Sequence, residues 1–384
     1  MAELVLYFLK LGSIGFGGPA ALVGYMRRDL VERRRLIDES TYNLSIALAQ
    51  IMPGPLAAQT AMAIGYFHSG LIGASLVGLA FVLPSFVMVL ALSITYVAYG
   101  GMPWMQAVFY GIGAVIIPIV AIAAYRLARG TNKQDALLWA IFLITLAATV
   151  WTGTELAVIF IVSGLAVLVV RAWPGLRAGL VLIAGGLTGA VAIGFLEHGL
   201  SGMSASSGQP LLMQIFLFFG KAGSFVFGSG LAIVPFLRQG VVHDFGWLTD
   251  HQFLDAVAVA LITPGPVVIT VAFIGYLVGG VAGSVVAAAG MFLPVYVFTA
   301  VPAPWFARHR HNAQLRAFAT GATSAASGAI AGAVVVLGRQ AIVDVPTICI
   351  ALVGWLLLVR VRAPEPLLVL GAGIAGLLWS RFAL

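Results

Sequence analysis

Long apolar runs separated by short polar connections make up this chain from end to end. They lie near residues 4–24, 44–66, 71–98, 105–128, 136–151, 155–170, 178–196, 211–237, 253–279, 281–301, 313–338, 341–359 and 365–380. A helix that spans a membrane needs about 20 apolar residues, and most of these runs reach that length. The pattern predicts an all-α fold and a polytopic membrane protein.

The chain repeats itself after about 210 residues. The segment 10–17, KLGSIGFG, returns at 221–228 as KAGSFVFG, and the Pro-Gly-Pro at 53–55 returns at 264–266. Internal repeats of this kind indicate a duplicated structural unit. We expect a first repeat at 1–176, a linking transmembrane helix at 177–200 and a second repeat at 201–384, with about six hydrophobic segments in each repeat.

If each repeat crosses the membrane an even number of times, a single linking helix makes the second repeat start from the opposite side of the membrane. The second repeat is then inverted relative to the first. The loop cations agree, because Lys and Arg accumulate on the cytoplasmic side. The second repeat keeps a single arginine, Arg238, where the first repeat has a loop of five. These five topology-determining arginines are Arg27, Arg28, Arg33, Arg34 and Arg35. The sequence therefore predicts two inverted repeats.

The remaining basic loops, near 126–133, 171–177, 308–316 and 360–362, can share a side with the first loop only under one condition. The first two segments of each repeat must together leave the chain on the side where it started. Pro and Gly interrupt helices, so we expect broken or re-entrant helices at 15–19, at 227–230 and at the Pro-Gly-Pro motifs. A simple proline kink in a spanning helix is the alternative.

The composition excludes a soluble globule, since 61% of residues are hydrophobic, 9% are charged and the mean hydropathy is +1.07. A net charge of +7 would suggest nucleic acid in a soluble protein, but here membrane topology explains the cations and we expect no nucleic-acid partner. Glu3 and the absence of a basic leader argue against a signal peptide. The single cysteine, Cys349, excludes a disulfide framework, and we expect neither metal nor cofactor.

The helix-breaking glycines and prolines and one lysine in each repeat are the candidate substrate-binding groups. Backbone groups freed at a break are tolerated in a bilayer only inside protein or beside a wet cavity, and half-helix N-termini suit an anion. A lysine within an apolar segment costs roughly 2.5–3.5 kcal/mol, so its repetition suggests a pair that balances a dianion at a central site. Snorkelling of the lysines to the interface is the alternative. The candidate substrate-binding residues are Lys10, Ser13, Gly17, Gly18, Pro19, Pro53, Gly54, Pro55, Thr60, Lys221, Ser224, Gly228, Thr263, Pro264, Gly265, Pro266 and Thr270.

Three acids are candidates for coupling transport to protons: Asp255, Glu155 and its repeat counterpart Glu365. Structural or capping roles are the alternative for all three. A negative membrane potential would by itself favour export of an anion.

The pattern F-x-K-x-G-S-x-G-F-G-G-P, an arginine-rich loop and P-G-P-x(9)-G-Y resemble the chromate ion transporter family, and the doubled length resembles its long, bidomain members. The resemblance implies a bacterial inner-membrane protein that exports chromate from the cytoplasm and so gives chromate resistance, with sulfate as a close analogue. It places the family motif at Gly15, Phe16, Gly17, Gly18, Pro19, Pro53, Gly54 and Pro55. The second repeat departs from it, with Ser229-Gly230 in place of Gly18-Pro19.

The sequence thus predicts a secondary transporter for chromate or sulfate. The alternatives are an uptake permease for sulfate-like oxyanions and an anion channel. A membrane enzyme is disfavoured because no acid, base, nucleophile and metal set converges. Small residues at Gly321, Ala325, Ala329 and Ala333 share one helix face and are compatible with a homodimer.

Overall fold

The computed structural model describes residues 1–16, 18–99, 102–152, 157–172, 209–228, 230–309, 313–361 and 363–383. The expected linking helix at 177–200 lies outside these residues, as do Gly17 and Glu155. Within the described ranges the regular secondary structure is helical except for two strands of two residues each. The all-α prediction is confirmed.

The first half contains α1 (Ala2–Ile14), α2 (Gly18–Met26), α3 (Glu39–Ile51), β1 (Gly54–Pro55), α4 (Leu56–Tyr99), α5 (Pro103–Asn132), α6 (Ala136–Thr152) and α7 (Ala157–Ala172). The second half contains α8 (Leu211–Phe225), β2 (Phe227–Gly228), α9 (Val234–Arg238), α10 (Asp250–Ile262), α11 (Thr270–Ala300), α12 (Ala303–His309), α13 (Ala313–Ala341), α14 (Val345–Leu356) and α15 (Glu365–Ala383). Wider π turns extend three helices, at Arg27–Arg33, Gln239–Asp244 and Leu357–Val361, and 3-10 turns lie at Gly230–Ile233 and Val267–Ile269. The order of the helices therefore repeats, with α12 as an addition in the second half, whereas β1 follows the third helix of its half and β2 follows the first.

The first two segments of the first half form two hairpins that open on one side of the molecule. Glu3, at the start of α1, pairs with Arg34 after α2 at 3.7 Å. Asp38, the N-cap of α3, shares a pocket of about 510 Å³ with Arg35 and with His68 of α4. The chain thus descends through one helix and returns through the next, twice, to the side of the arginine loop. We call this side the arginine side.

Each hairpin also has local reasons for its form. Hydrogen bonds from Ser40 and Thr41 to the Asp38 carboxylate close the first turn of α3 and hold the pKa of Asp38 well below its usual value. Thr249 makes a capping box with Gln252 at the same place in the second half. Both repeats therefore begin their third helix with a strong N-terminal stop signal.

The longest helices bend sharply at glycine. In α4 the bend lies at Ser69 and Gly70, where Gly70 has φ +64°, and in α11 it lies at Gly279 and Gly280, where Gly280 has φ +61°. A left-handed φ favours glycine because other side chains clash there. Each bend separates a short returning arm, 56–68 or 270–278, from a long spanning arm. This is the point where the hairpin ends and the full crossing begins.

The two halves exchange helices. α4 and α11 pack on each other, with α1 against α4 and α8 against α11. The next helix of each half packs on the other half: α5 lies on α14 and α15, and α13 lies on α6 and α7. Glycines allow this close approach, since a Cβ on Gly111 would meet the Ala372 carbonyl and one on Gly321 the Ser163 carbonyl.

Polar contacts at the helix ends fix which ends share a side. Arg171, at the end of α7, pairs with Asp135 before α6 at 2.8 Å. This contact and the hydrogen bonds at the start of α6 outweigh partial burial and lower the pKa of Asp135. Tyr110 hydrogen-bonds Asp344 at the opposite end of the bundle. These contacts agree with the inverted arrangement of the repeats.

Among the described residues, four helical stretches are long and apolar enough to span a membrane: Leu56–Tyr99, Pro103–Asn132, Val267–Arg308 and Arg316–Ala341. Large apolar side chains cover their outer faces, such as Ile72, Leu79 and Val87, which are more than half exposed. Outward apolar side chains are what a lipid-facing surface requires. The protein is a multi-pass membrane protein.

Thiol labelling tests the hairpins. In a Cys349→Ser background, cysteines placed at Arg33 and at His68 should react from the same side, because both residues are exposed at the arginine side. A cysteine at Trp104, after the full crossing by α4, is the control and should react from the opposite side. Reaction of positions 33 and 68 from opposite sides would rule out the re-entrant arrangement.

Candidate functional site

The four helix breaks meet in two pairs, and each pair joins the two halves. The Gly54 N–H of the first Pro-Gly-Pro donates to the Val226 carbonyl at 2.5 Å. The Gly265 N–H of the second Pro-Gly-Pro donates to the Gly15 carbonyl at 2.9 Å. Gly15 and Val226 are repeat counterparts, like Gly54 and Gly265. The two hydrogen bonds are therefore related by the internal symmetry.

The composition of the motif explains why the central glycine makes this bond. Proline has no backbone N–H, so in Pro-Gly-Pro only the glycine can donate. The first contact extends into a short parallel pairing of β1 with β2, with Gly54 opposite Phe227 and Pro55 opposite Gly228. An unpaired backbone donor inside a bilayer is costly, and the bond across the halves removes that cost.

Both central glycines have a backbone that favours glycine. Gly54 has φ +145° and Gly265 has φ +99°. A Cβ on Gly54 would collide with the side chain of Gln59, whose Nε2 donates to the Pro53 carbonyl at 2.7 Å. A Cβ on Gly265 would collide with Ser85 Oγ, which donates to the Gly12 carbonyl at 3.2 Å. The breaks are therefore tightly packed.

Helices begin immediately after every break. α2 starts at Gly18 with Pro19 in its first turn, α4 starts at Leu56, and the 3-10 turns start at Gly230 and Val267. The first N–H groups of a helix have no partner within it and carry partial positive charge. Four such ends near two backbone contacts give a junction that can donate to an anion. We call this region, residues 15–16, 18–19, 53–56, 226–228, 230 and 264–267, the junction.

The candidate hydroxyl groups are occupied by their own helices. Ser13, Thr60 and Ser224 donate to the carbonyls of Leu9, Leu56 and Gly220, one turn back, at 2.7–2.9 Å. Thr263 donates to the Val259 carbonyl at 2.6 Å, and Thr270 donates to the Val267 carbonyl at 3.1 Å. In this conformation each of these hydroxyl groups donates its hydrogen to a nearby backbone carbonyl.

Lys10 and Lys221 lie in equivalent positions, each four residues before the end of a helix that leads into the junction. Both are exposed, and neither forms an ion pair with any residue that the structure describes. Lys10 shares its face of α1 with exposed Leu6 and Ile14, and Lys221 follows exposed Leu217 on α8. The pair α4 and α11 lies between α1 and α8. The structure places the lysines on two separate outward faces.

Two of the three candidate acids lie in the described residues. Asp255 of α10 is partly buried and accepts a hydrogen bond from the Tyr96 hydroxyl at 2.7 Å. Glu365 is the first residue of α15, partly buried and within the electrostatic reach of Arg126. Asp255 joins the second hairpin of one half to the spanning arm of α4 in the other. Glu155 lies outside the described part of the chain.

Several residues at the junction carry no motif signal in the sequence. Gln59 hydrogen-bonds the first Pro-Gly-Pro turn and Ser85 lies against Gly265 of the second, both from α4 and both fully buried. The Oε1 atom of Gln59 is buried with no hydrogen-bond partner. A buried glutamine inside an apolar helix is the one signal that would have pointed to it. In the described ranges, no group of His, Cys, Asp and Glu side chains could hold a metal.

Comparison with known proteins agrees with the architecture. The chromate transporter family model matches residues 2–190 and 213–377, which correspond to the two halves. A chromate transport protein of Cupriavidus metallidurans is 54% identical over 98% of this chain and 92% of its own length. A probable chromate transport protein of Synechococcus elongatus is 51% identical over 99% and 96%, and a chromate transport protein of Pseudomonas aeruginosa is 30% identical over 99% and 92%.

No solved structure matches this chain significantly. The family model covers both halves, and relatives of more than 50% identity align over nearly the full length. This chain therefore belongs to the chromate transporter family.

Proposed function

We propose that the protein is a secondary transporter that exports chromate from the cytoplasm across the bacterial inner membrane and so gives chromate resistance. Convergence of four helix breaks at the junction is the observation that carries this proposal. Transporters place broken helices at substrate sites near the middle of the membrane, where half-helix ends contact ions. Three relatives whose names include chromate transport support the choice of substrate.

The chemistry of the junction fits a tetrahedral oxyanion. Such an anion requires convergent donors and positive potential, and it requires no catalytic base. The helix N-termini after each break supply N–H donors from several directions. Sulfate has nearly the same shape and charge, so sulfate is the second substrate in this proposal.

The direction of transport follows from charge. The arginine side is cytoplasmic by the positive-inside rule, since the loop 27–35 and the ends near Arg126, Arg129 and Arg171 all lie there. A membrane potential that is negative inside drives a dianion outward, at about 2.3 kcal/mol per charge per 100 mV. Export is therefore the direction favoured by the membrane potential.

Lys10 and Lys221 add positive potential near the junction in this proposal. Each lies within a turn or so of the break that its helix leads into. The competing structural role is stabilisation of the helix C-terminus, where a cation interacts favourably with the last carbonyls. Charge-retaining and charge-removing variants separate the two roles.

We assign proton coupling of export to Asp255. It is a carboxylate on a hairpin helix that leads to the second Pro-Gly-Pro, and its described partner is a neutral hydroxyl. Protonation would remove its charge without breaking an ion pair. Glu365, which lies beside Arg126, and Glu155 are the lesser candidates.

An anion channel and a sulfate uptake permease are the alternative functions, and vesicle flux separates them. Purified protein in proteoliposomes should move labelled chromate with saturable kinetics, faster when the potential drives anions away from the arginine side. Sulfate should compete. Unsaturable current without exchange would indicate a channel. Accumulation of sulfate in the inward direction with no chromate flux would contradict export.

Gly265→Ala tests the junction. The new Cβ would meet Ser85 Oγ on a backbone with φ +99°, so the hydrogen bond to Gly15 should be lost and chromate flux should fall at least tenfold. The control is Gly130→Ala, in the last turn of α5, where a new Cβ would meet no atom within 4 Å, so flux should stay near normal. Normal flux through Gly265→Ala protein at normal expression would show that the junction is not the pathway.

Lys10→Ala and Lys221→Ala test the lysines. Loss of positive potential should lower chromate flux severalfold in each variant and more in the double variant, whereas Lys→Arg at both sites should retain most of it. Lys133→Ala, in the loop before α6, is the control. Parental flux in the double alanine variant would exclude a role in transport. A lower melting temperature in the alanine variants, with flux unchanged per folded molecule, would assign the lysines to helix stability.

A further inference from the structure

The loop after the first hairpin carries different side chains in the two halves. We call the region around residues 25–39, on the arginine side, the cytoplasmic mouth, and the equivalent region around 236–250 the outer mouth. On the outer side, opposite the arginine side, four aromatic residues follow one another in space: Phe218, Phe236, Phe245 and Trp247. Phe218 stacks on Phe236 at 5.5 Å between ring centroids, and Phe245 stacks on Trp247 at 4.3 Å. Phe218 also meets Trp247 edge-on at 5.8 Å. We call these four residues the aromatic cluster.

The aromatic cluster is packed into the protein. Phe218 is 9% exposed, and the other three rings pack against the main core. Gly240 lies directly against the Phe218 ring, since a Cβ there would collide with it. Rings in stacked and edge-on contact present an apolar surface here, which a hydrated dianion would not cross.

The counterparts of the cluster at the cytoplasmic mouth are Tyr7, Tyr25, Arg34 and Leu36. Arg34 lies over the Tyr7 ring at 5.7 Å, where its counterpart Phe245 meets Phe218 edge-on at 5.6 Å, and Arg28 lies over the Tyr25 ring at 5.1 Å. The Tyr7 hydroxyl is buried with no partner. The cytoplasmic mouth is therefore polar and cationic where the outer mouth is apolar.

An ion pair occurs at the same place in both mouths, but its burial differs. Arg27 and Glu39 are 2.7 Å apart with side chains 52% and 59% exposed. Their counterparts Arg238 and Asp250 are 2.8 Å apart with side chains 7% and 35% exposed. One arrangement is open to water and the other is closed.

The pocket of about 510 Å³ lies at the open mouth, lined by Arg35, Asp38 and His68 among others. At the outer mouth these polar positions are occupied by Gly246, Thr249 and Val278. In inverted repeats, the two halves exchange open and closed arrangements as access alternates. The exposed Arg27 and the pocket on one side, against the buried Arg238 on the other, correspond to a state of that cycle that is open to the cytoplasm.

We propose that the aromatic cluster and the Arg238–Asp250 ion pair form the external gate of the transporter, closed in this structure. The gate opens when the ion pair separates and Phe218 of α8 moves away from Trp247 after α9. This inference rests on the proposed function for its role in export. The closure itself can be measured without any substrate.

External labelling of a buried cysteine tests the gate. In a Cys349→Ser background, a cysteine at Thr263, which is 7% exposed and precedes the second Pro-Gly-Pro, should react slowly with a membrane-impermeant thiol reagent added outside intact cells. Trp247→Ala and Asp250→Asn should each raise the labelling rate at least tenfold. Trp151→Ala is the matched control, because Trp151 is 87% exposed at the end of α6, and it should leave the rate unchanged.

A charge exchange keeps the test independent of folding losses. Arg238→Asp combined with Asp250→Arg should restore slow labelling relative to either single change, because the ion pair reforms with reversed polarity. Glu39→Gln at the cytoplasmic mouth should not raise external labelling. Unchanged labelling in both Trp247→Ala and Asp250→Asn, with normal expression, would overturn the gate. Chromate flux measured in parallel separates the outcomes, since faster labelling without chromate transport would retain the gate and reject the substrate.

Discussion

Two backbone hydrogen bonds hold the centre of this protein together. Because proline has no N–H, the glycine is the only backbone donor in each Pro-Gly-Pro. Inside the membrane that N–H has no water to bond. In both repeats the partner is a carbonyl of the other half, at Val226 or Gly15. Each half thus satisfies the break of the other. The hairpins, the bends at Gly70 and Gly280 and the order of the helices bring the four breaks together at the junction, where the two halves complete each other's backbone hydrogen bonds.

Much of the fold could be predicted from the sequence, because apolar length, glycine and proline positions and loop arginines each report a local constraint. The helix boundaries near 51–56 and 262–270 follow from Pro-Gly-Pro, and the side of the arginine loop follows from charge. The exchange of α5 and α13 between halves could not be predicted. It depends on which glycine-rich faces fit, as at Gly111 and Gly321, and such complementarity is a property of pairs of helices that no single segment carries.

The candidate site was predicted in its backbone and less well in its side chains. The glycines and prolines lie at the junction, whereas the hydroxyls of Ser13, Thr60 and Ser224 bond their own helices and the lysines lie on outward faces. A residue that recurs in both repeats indicates an equivalent position in the fold. At that position the residue can stabilise its own helix as readily as bind a ligand. The loss of arginine after Arg238 marks the mouth where aromatic side chains replace cations.

Because helices of one half pack on the other half, helices that are made early must wait for partners that are made late. α5 packs on α14 and α15, and α15 begins only at Glu365, far along the chain from Asn132. At about 5–20 residues per second the ribosome needs roughly 10–50 s to make the sequence between them. During that interval the glycine face of α5 has no protein partner and must be covered by lipid or by the insertion machinery. The first half of this transporter is thus inserted long before it can be finished.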